Sequence, residues 1–298
     1  MAALLAAAML LTACGTGGSE ESGTGAAGSA ASEAGAEAAE AGSAASEVSA
    51  EGEGSAASAE APSCGDTVSA AQAMEMDADT VIIPEENLDP YFAIREIDDT
   101  VYQRIVGKSF SEDGEISRDD LRYLRVLHVG FDGQTRIGEL IVNRAAAEDV
   151  LAVFRELYEK RYQIRKMVLV DQYYDIHMEK YEALDRGNQA DCVSIEDDNT
   201  SAFNYRVASN NSEVLSNHGR GFAIDLNPYE NPYVNADGSL DGPDGSAEYM
   251  DRSKATEENH MLKDGDTAVS AFKAHGFSWG GDWEGDKDYQ HFDYEQQK

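Results

Sequence analysis

The chain is poor in basic residues and in cysteine, and it has no long apolar run. Its 298 residues carry 23 Lys and Arg against 57 Asp and Glu, for a formal net charge of −34. Nucleic acid is excluded as a partner, because each phosphate contact needs a Lys or Arg to release counterions. Cationic partners, metal ions or neutral glycans suit such a surface better. Three cysteines exclude a disulfide-dense mini-fold and a four-cysteine zinc site. No apolar stretch reaches the roughly 18 residues needed to span a bilayer.

Residues 15–63 lack aromatics, Lys and Arg altogether. They are almost wholly Ala, Gly, Ser, Thr and Glu, with nine glutamates. Such a segment cannot bury enough apolar surface to offset its ordering entropy. It is expected to be a disordered, self-repelling tether. At ~5–6 Å × √n its reach is roughly 35–42 Å. The remainder holds 48 acidic and 23 basic side chains and stays near −25. That charge is a solvated surface and carries no substrate meaning.

Ahead of the tether, residues 2–13 form an apolar stretch of signal-peptide length that ends in Leu11-Thr12-Ala13-Cys14. This resembles the lipobox of bacterial lipoproteins, in which the cysteine is diacylated and becomes the new N-terminus. The resemblance implies that Cys14 is the lipidation site and that the chain is held outside the cell membrane by its N-terminal lipid alone. Two acyl chains give the stable anchoring that one does not. The expected organisation is a signal segment at 1–14, a tether at 15–80 and one folded unit at 81–298. With Cys14 lipidated, Cys64 and Cys192 remain, and export permits a disulfide between them. Spacing alone leaves that pairing open.

The folded part mixes helix and strand signals without regular βαβ alternation, which predicts an α+β fold. Val81-Ile82-Ile83-Pro84, 138–143 and the buried run Met167-Val168-Leu169-Val170 read as strands. So do the short runs 202–207, 222–227 and 289–294. Val150, Leu151, Phe154, Leu157 and Tyr158 recur at helical spacing, and Asn143 suits the N-cap of that helix. A second helix fits 267–274, ended by Gly276. Residues 185–200 are polar and loop-like. Trp279-Gly280-Gly281-Asp282-Trp283 reads as a tight turn over a core, with a cleft wall as the alternative. The acidic loop 235–242 fails the calcium-loop pattern and reads as a plain turn.

Two further segments carry chemistry. One is Ser216-Asn217-His218-Gly219-Arg220-Gly221-Phe222-Ala223-Ile224-Asp225, and the other is Asp288-Tyr289-Gln290-His291-Phe292. Two histidines and one aspartate make a three-ligand zinc site with an open fourth position. Asp288, three residues before His291, is placed to act as a base beside it. Arg206 can stabilise an oxyanion. Spacing alone does not exclude His128, His177, His260 or His275 as ligands.

The pattern Ser-x-His-x-x-Gly-x-Ala-x-Asp at 216–225, with Asp-x-x-His at 288–291, resembles the signature of zinc D-alanyl-D-alanine carboxypeptidases. That family includes vancomycin-resistance D,D-peptidases and phage L-alanyl-D-glutamate endolysins. Segments 138–143, 200–206, 227–233 and 279–283 are similar to its extracellular bacterial branch, and the likeness covers roughly residues 90–298. The resemblance implies that His218, Asp225 and His291 ligate one Zn²⁺ per chain. It makes Asp288 the general base, where many members carry Glu. Arg206 would polarise the scissile carbonyl, and Ser216 would hydrogen-bond the substrate. The implied fold is the α+β fold shared with hedgehog domains, with zinc on an antiparallel sheet. The expected substrates are peptidoglycan stem peptides, cut by a monomer at the D-Ala-D-Ala bond. L-alanyl-D-glutamate cleavage, a zinc-holding module that binds without cutting, and an importer's substrate-binding lipoprotein are the alternatives.

Overall fold

The computed structural model describes residues 66–208 and 211–295. Cys14, Cys64 and the Ala/Gly/Ser/Glu-rich segment lie outside them.

The folded chain begins earlier than its composition suggests. Residues 66–80, assigned above to the tether, form strand β1 (Thr67–Val68) and helix α1 (Ala70–Glu75). Ser69 and Gln72 cap α1 reciprocally. Val68 and Ala73 are buried in the main core. β1 pairs in parallel with β2 (Ile83–Pro84).

A three-stranded antiparallel sheet follows, built from β3 (Ala93–Arg95), β4 (Leu121–Val129) and β5 (Thr135–Asn143). Helix α2 (Asp99–Ile105) lies between β3 and β4 in the chain. The sheet is buried on both faces. Leu124, Leu140 and Val142 share a core with Val150, Val153, Phe154 and Leu157 of helix α3 (Ala147–Glu159). Leu121, Tyr123 and Ile141 join Val101, Ile105 and Phe203 in a second cluster.

Three expectations are corrected by side-chain chemistry. Asn143 is the last residue of β5 and does not cap α3, whose N-cap is Ala146. Its Oδ1 accepts from Ala145 N at 3.0 Å, and its Nδ2 donates to Arg220 O at 3.1 Å. Residues 167–169 are buried but form no strand. The amide of Asn199 replaces a neighbouring strand there, accepting from Val168 N at 2.8 Å and donating to Val168 O at 3.0 Å. Segment 185–200 contains helix α4 (Arg186–Glu196), whose first turn is capped by Asp185. Its polarity hid it, because Asn188, Asp191 and Ser194 are buried alongside Ala190 and Val193. Cys192, also on α4, is disulfide-bonded.

Only the end of the expected strand at 202–207 is regular. β6 (Val207–Ala208) pairs with β7 (Asn211–Leu215). Next come a one-turn helix, α5 (Asn217–Arg220), and strand β8 (Ala223–Asp225). β9 (Tyr233–Val234) and β10 (Leu240–Asp241) flank the acidic turn. Helix α6 (Thr267–Ala274) has the expected bounds, and Gly276 follows it at φ 85°. β11 (Phe277–Trp279), β13 (His291–Tyr294) and β8 make one antiparallel sheet in the order β11-β13-β8. β10, β9 and β12 (Lys287–Asp288) make another. Small antiparallel sheets mixed with helices fit an α+β class. Among the described residues, no helix is long and apolar enough to cross a membrane.

Candidate metal centre

Register places two of the predicted ligands opposite each other. In the β8–β13 pair, Asp225 faces His291 directly, so their side chains leave the same side of the sheet. His218 comes from α5. Ser216 caps that turn by accepting from Gly219 N at 2.9 Å, and Gly221 ends it at φ 75°. A Cβ at Gly221 would come within 2.6 Å of Asn143 N. This glycine therefore serves both its own dihedral and the close approach of α5 to β5.

His218, Asp225 and His291 offer ligand atoms within 4.8 Å of one another, and all three residues are buried. His218 Nε2 lies 3.2 Å from Asp225 Oδ2 and 3.3 Å from His291 Nδ1. His291 Nδ1 lies 3.0 Å from Asp225 Oδ1. Tetrahedral zinc with ligand bonds of about 2.0–2.1 Å spaces its ligand atoms about 3.3 Å apart. The donor set, and the 3.3 Å between the two imidazole nitrogens, therefore fit zinc. His218 Nδ1 lies 2.7 Å from Ala202 O. A carbonyl only accepts, so Nδ1 carries the proton and the Nε2 lone pair faces the cluster.

Charge follows the same geometry. Burial works against the His291 imidazolium, but Asp293 and Asp225 outweigh it and raise its pKa well above the usual histidine value. Burial likewise opposes the Asp225 carboxylate, and His218 and His291 override it, so its pKa is lowered. Metal binding at the cluster requires a neutral His291 and so opposes protonation of its ring.

Asp288 stands at the edge of the cluster. Its Oδ2 is 4.0 Å from His291 Nδ1, and its buried Oδ1 has no hydrogen-bond partner among the described residues. Burial pushes its pKa up to about 7, where a general base works best. Gly280 packs against its backbone.

Arg206 and Ser216 are joined through the main chain, with Ser216 N donating to Arg206 O at 3.1 Å. Arg206 Nη2 pairs with Asp191 at 2.7 Å, while its buried Nε and Nη1 have no hydrogen-bond partner among the described residues. Those two groups are free to donate to a ligand. The Ser216 hydroxyl is engaged as the cap of the helix that carries His218, a role that its place in the motif did not reveal.

The two tryptophans divide the two readings of their segment. Trp279 is buried in the core, and its Nε1 donates to Tyr289 O at 2.8 Å. Trp283 is half-buried, its ring centroid 5.6 Å from that of His291, so it forms a wall of the centre. The four other histidines lie outside the cluster. His128 is buried on Ile164 O at 3.1 Å and His260 stacks on Phe131. His275 lies 3.5 Å from Asp149, and His177 is exposed.

Sequence reasoning missed Asp191, Asn217, Asp293 and the Ala202 carbonyl. Asp293 left a signal, since residues i and i+2 of a strand share a face.

Residues 209–294 match the family model described as D-alanyl-D-alanine carboxypeptidase. The match covers under a third of the chain and includes Ser216, Asp288 and the three candidate ligands, while Arg206 lies just before it. The match makes this segment similar to that family, whose members are zinc-dependent peptidases. No curated protein and no solved structure matches the chain.

Proposed function

We propose that this chain is an extracytoplasmic zinc peptidase that trims peptidoglycan stem peptides at the D-alanyl-D-alanine bond. One observation carries the reading. A buried His-Asp-His cluster able to hold a metal has a carboxylate beside it whose Oδ1 has no hydrogen-bond partner among the described residues. A site that only binds has no use for such a base.

His218, Asp225 and His291 would hold the ion. When bound, zinc lowers the pKa of a water and polarises a carbonyl. Asp288 takes the proton of the attacking water and returns it to the leaving amine. Arg206 donates to the carbonyl oxygen as charge develops on it, held in place by Asp191. Trp283 walls the cleft beside His291 and limits access of bulk water. The hedgehog-type fold and the monomeric state belong to the same reading, as does anchoring through Cys14, which sets the domain outside the membrane on its tether.

The test is mass spectrometry of products from the full chain with zinc and a muropeptide ending in D-Ala-D-Ala. The expected result is loss of one alanine. Asp288→Asn is expected to keep the metal and lose about 10²–10⁴-fold in turnover. Cleavage between L-Ala and D-Glu would move the assignment to an endopeptidase, and zinc binding without cleavage would move it to a binding module. Cys14→Ser is expected to release the protein from membranes. Retention there would refute the anchor.

A further inference from the structure

His291 has two ring nitrogens, and only one of them faces the cluster. Its Nδ1 is 3.0 Å from Asp225 Oδ1, while its Nε2 is 3.0 Å from Asp293 Oδ1. The same Asp293 oxygen accepts from Asn217 Nδ2 at 2.6 Å. The Arg220 guanidinium donates to Asn217 Oδ1. An amide whose oxygen is occupied can present only its NH₂ group, so Asn217 meets Asp293 in one orientation. Asn217 directly precedes His218 on α5, and Asp293 lies two residues beyond His291 on β13. One carboxylate therefore joins the two elements that carry the histidine ligands, from outside the cluster.

We propose that Arg220, Asn217 and Asp293 form a positioning chain that turns Nδ1 of His291 toward the metal, locks α5 to β13, and so sets the affinity of the centre for zinc. The proposal rests on the metal-centre reading and is independent of peptidase activity. Partners that orient ligating histidines typically change metal affinity 10–100-fold. Three features separate this chain from ordinary packing. It contacts the nitrogen that does not face the cluster, it links both histidine-bearing elements, and its members should act as a unit.

The experiment is zinc competition between the full chain and a chromogenic chelator, with melting of the metal-free protein measured in parallel. Asp293→Ala and Asn217→Ala are each expected to weaken zinc binding about 10–100-fold. The double variant should be little weaker than Asp293→Ala alone. Asp293→Asn keeps an acceptor for Nε2 and is expected to recover part of the loss, and it also serves if the alanine variant fails to fold. Zinc affinity within threefold of the unmutated chain would overturn the proposal. So would a fall in metal-free stability with affinity unchanged, or fully additive losses. Tight zinc binding without peptidase activity would sink the proposed function and leave this inference standing. An unmutated chain that binds no zinc would sink both.

Discussion

Gly280→Ala tests the placement of Asp288 without touching its chemistry. A Cβ at residue 280 would lie 2.3 Å from Asp288 O, 3.0 Å from Asp288 Cβ and 3.2 Å from Asp288 C. Ordinary contact starts at 3.4 Å, so the Asp288 backbone would have to retreat by about 1 Å. The obstruction is main chain, and no flexible side chain can swing away to relieve it. A 1 Å misplacement of a catalytic group costs about 10²-fold in rate, and overpacking costs about 1–3 kcal/mol of stability. The variant is expected to bind zinc, melt somewhat lower and turn over about 10²-fold more slowly. Steady-state kinetics, zinc content and a melting curve on one preparation give all three readings. Turnover within threefold of the unmutated protein would refute the placement of Asp288 as base. Loss of zinc before loss of rate would show that the glycine supports the ligands instead.

Three further outcomes are expected. Ser216→Ala removes the N-cap of α5 and should cost about 0.5–2 kcal/mol in chemical denaturation. A raised KM with stability intact would instead show direct substrate contact. Asp191→Ala leaves the Arg206 guanidinium buried and unpaired, and breaking such a pair costs about 3–5 kcal/mol; an unmoved urea midpoint would contradict this. Asp241→Asn tests a buried carboxyl pushed up to about 7 by burial, with one oxygen lacking a partner among the described residues. Its folded-state pKa lies above its unfolded value, so folding favours the neutral acid. Stability is then full below about pH 4 and falls as pH rises through about 7. The asparagine variant should melt higher than the unmutated chain at pH 8 and much like it at pH 4. An equal shift at both values would refute the linkage.

Helices α3 and α6 were legible because apolar periodicity and Gly punctuation are local signals. The candidate ligands were legible because motif spacing is also linear. Helix α4 was not. It buries Asn188, Asp191 and Ser194, so the usual contrast between apolar and polar faces is lost. Asn143 has the chemistry of a cap, but its amide is spent on Ala145 and Arg220. Met167–Val170 has strand composition, but Asn199 takes the place of a neighbouring strand. Composition placed the start of the fold too late, since single residues such as Val68 and Ala73 bring 66–80 into the core.

The sequence by itself determined the strong negative charge, the composition of residues 15–63, the α+β mixture and the His-x6-Asp and Asp-x-x-His spacings. These are properties of residues close together along the chain, or of their sum. Only the tertiary structure decided which atoms meet. His218 finds the Ala202 carbonyl 16 residues away, and His291 comes to it across 73. Asn217 reaches Asp293 across 76, and Arg206 is held by a carboxylate on a helix that local pattern did not announce. Such partners are set by strand register and by the packing of α5 against β5. A shift of one residue along β13 would turn His291 away from Asp225.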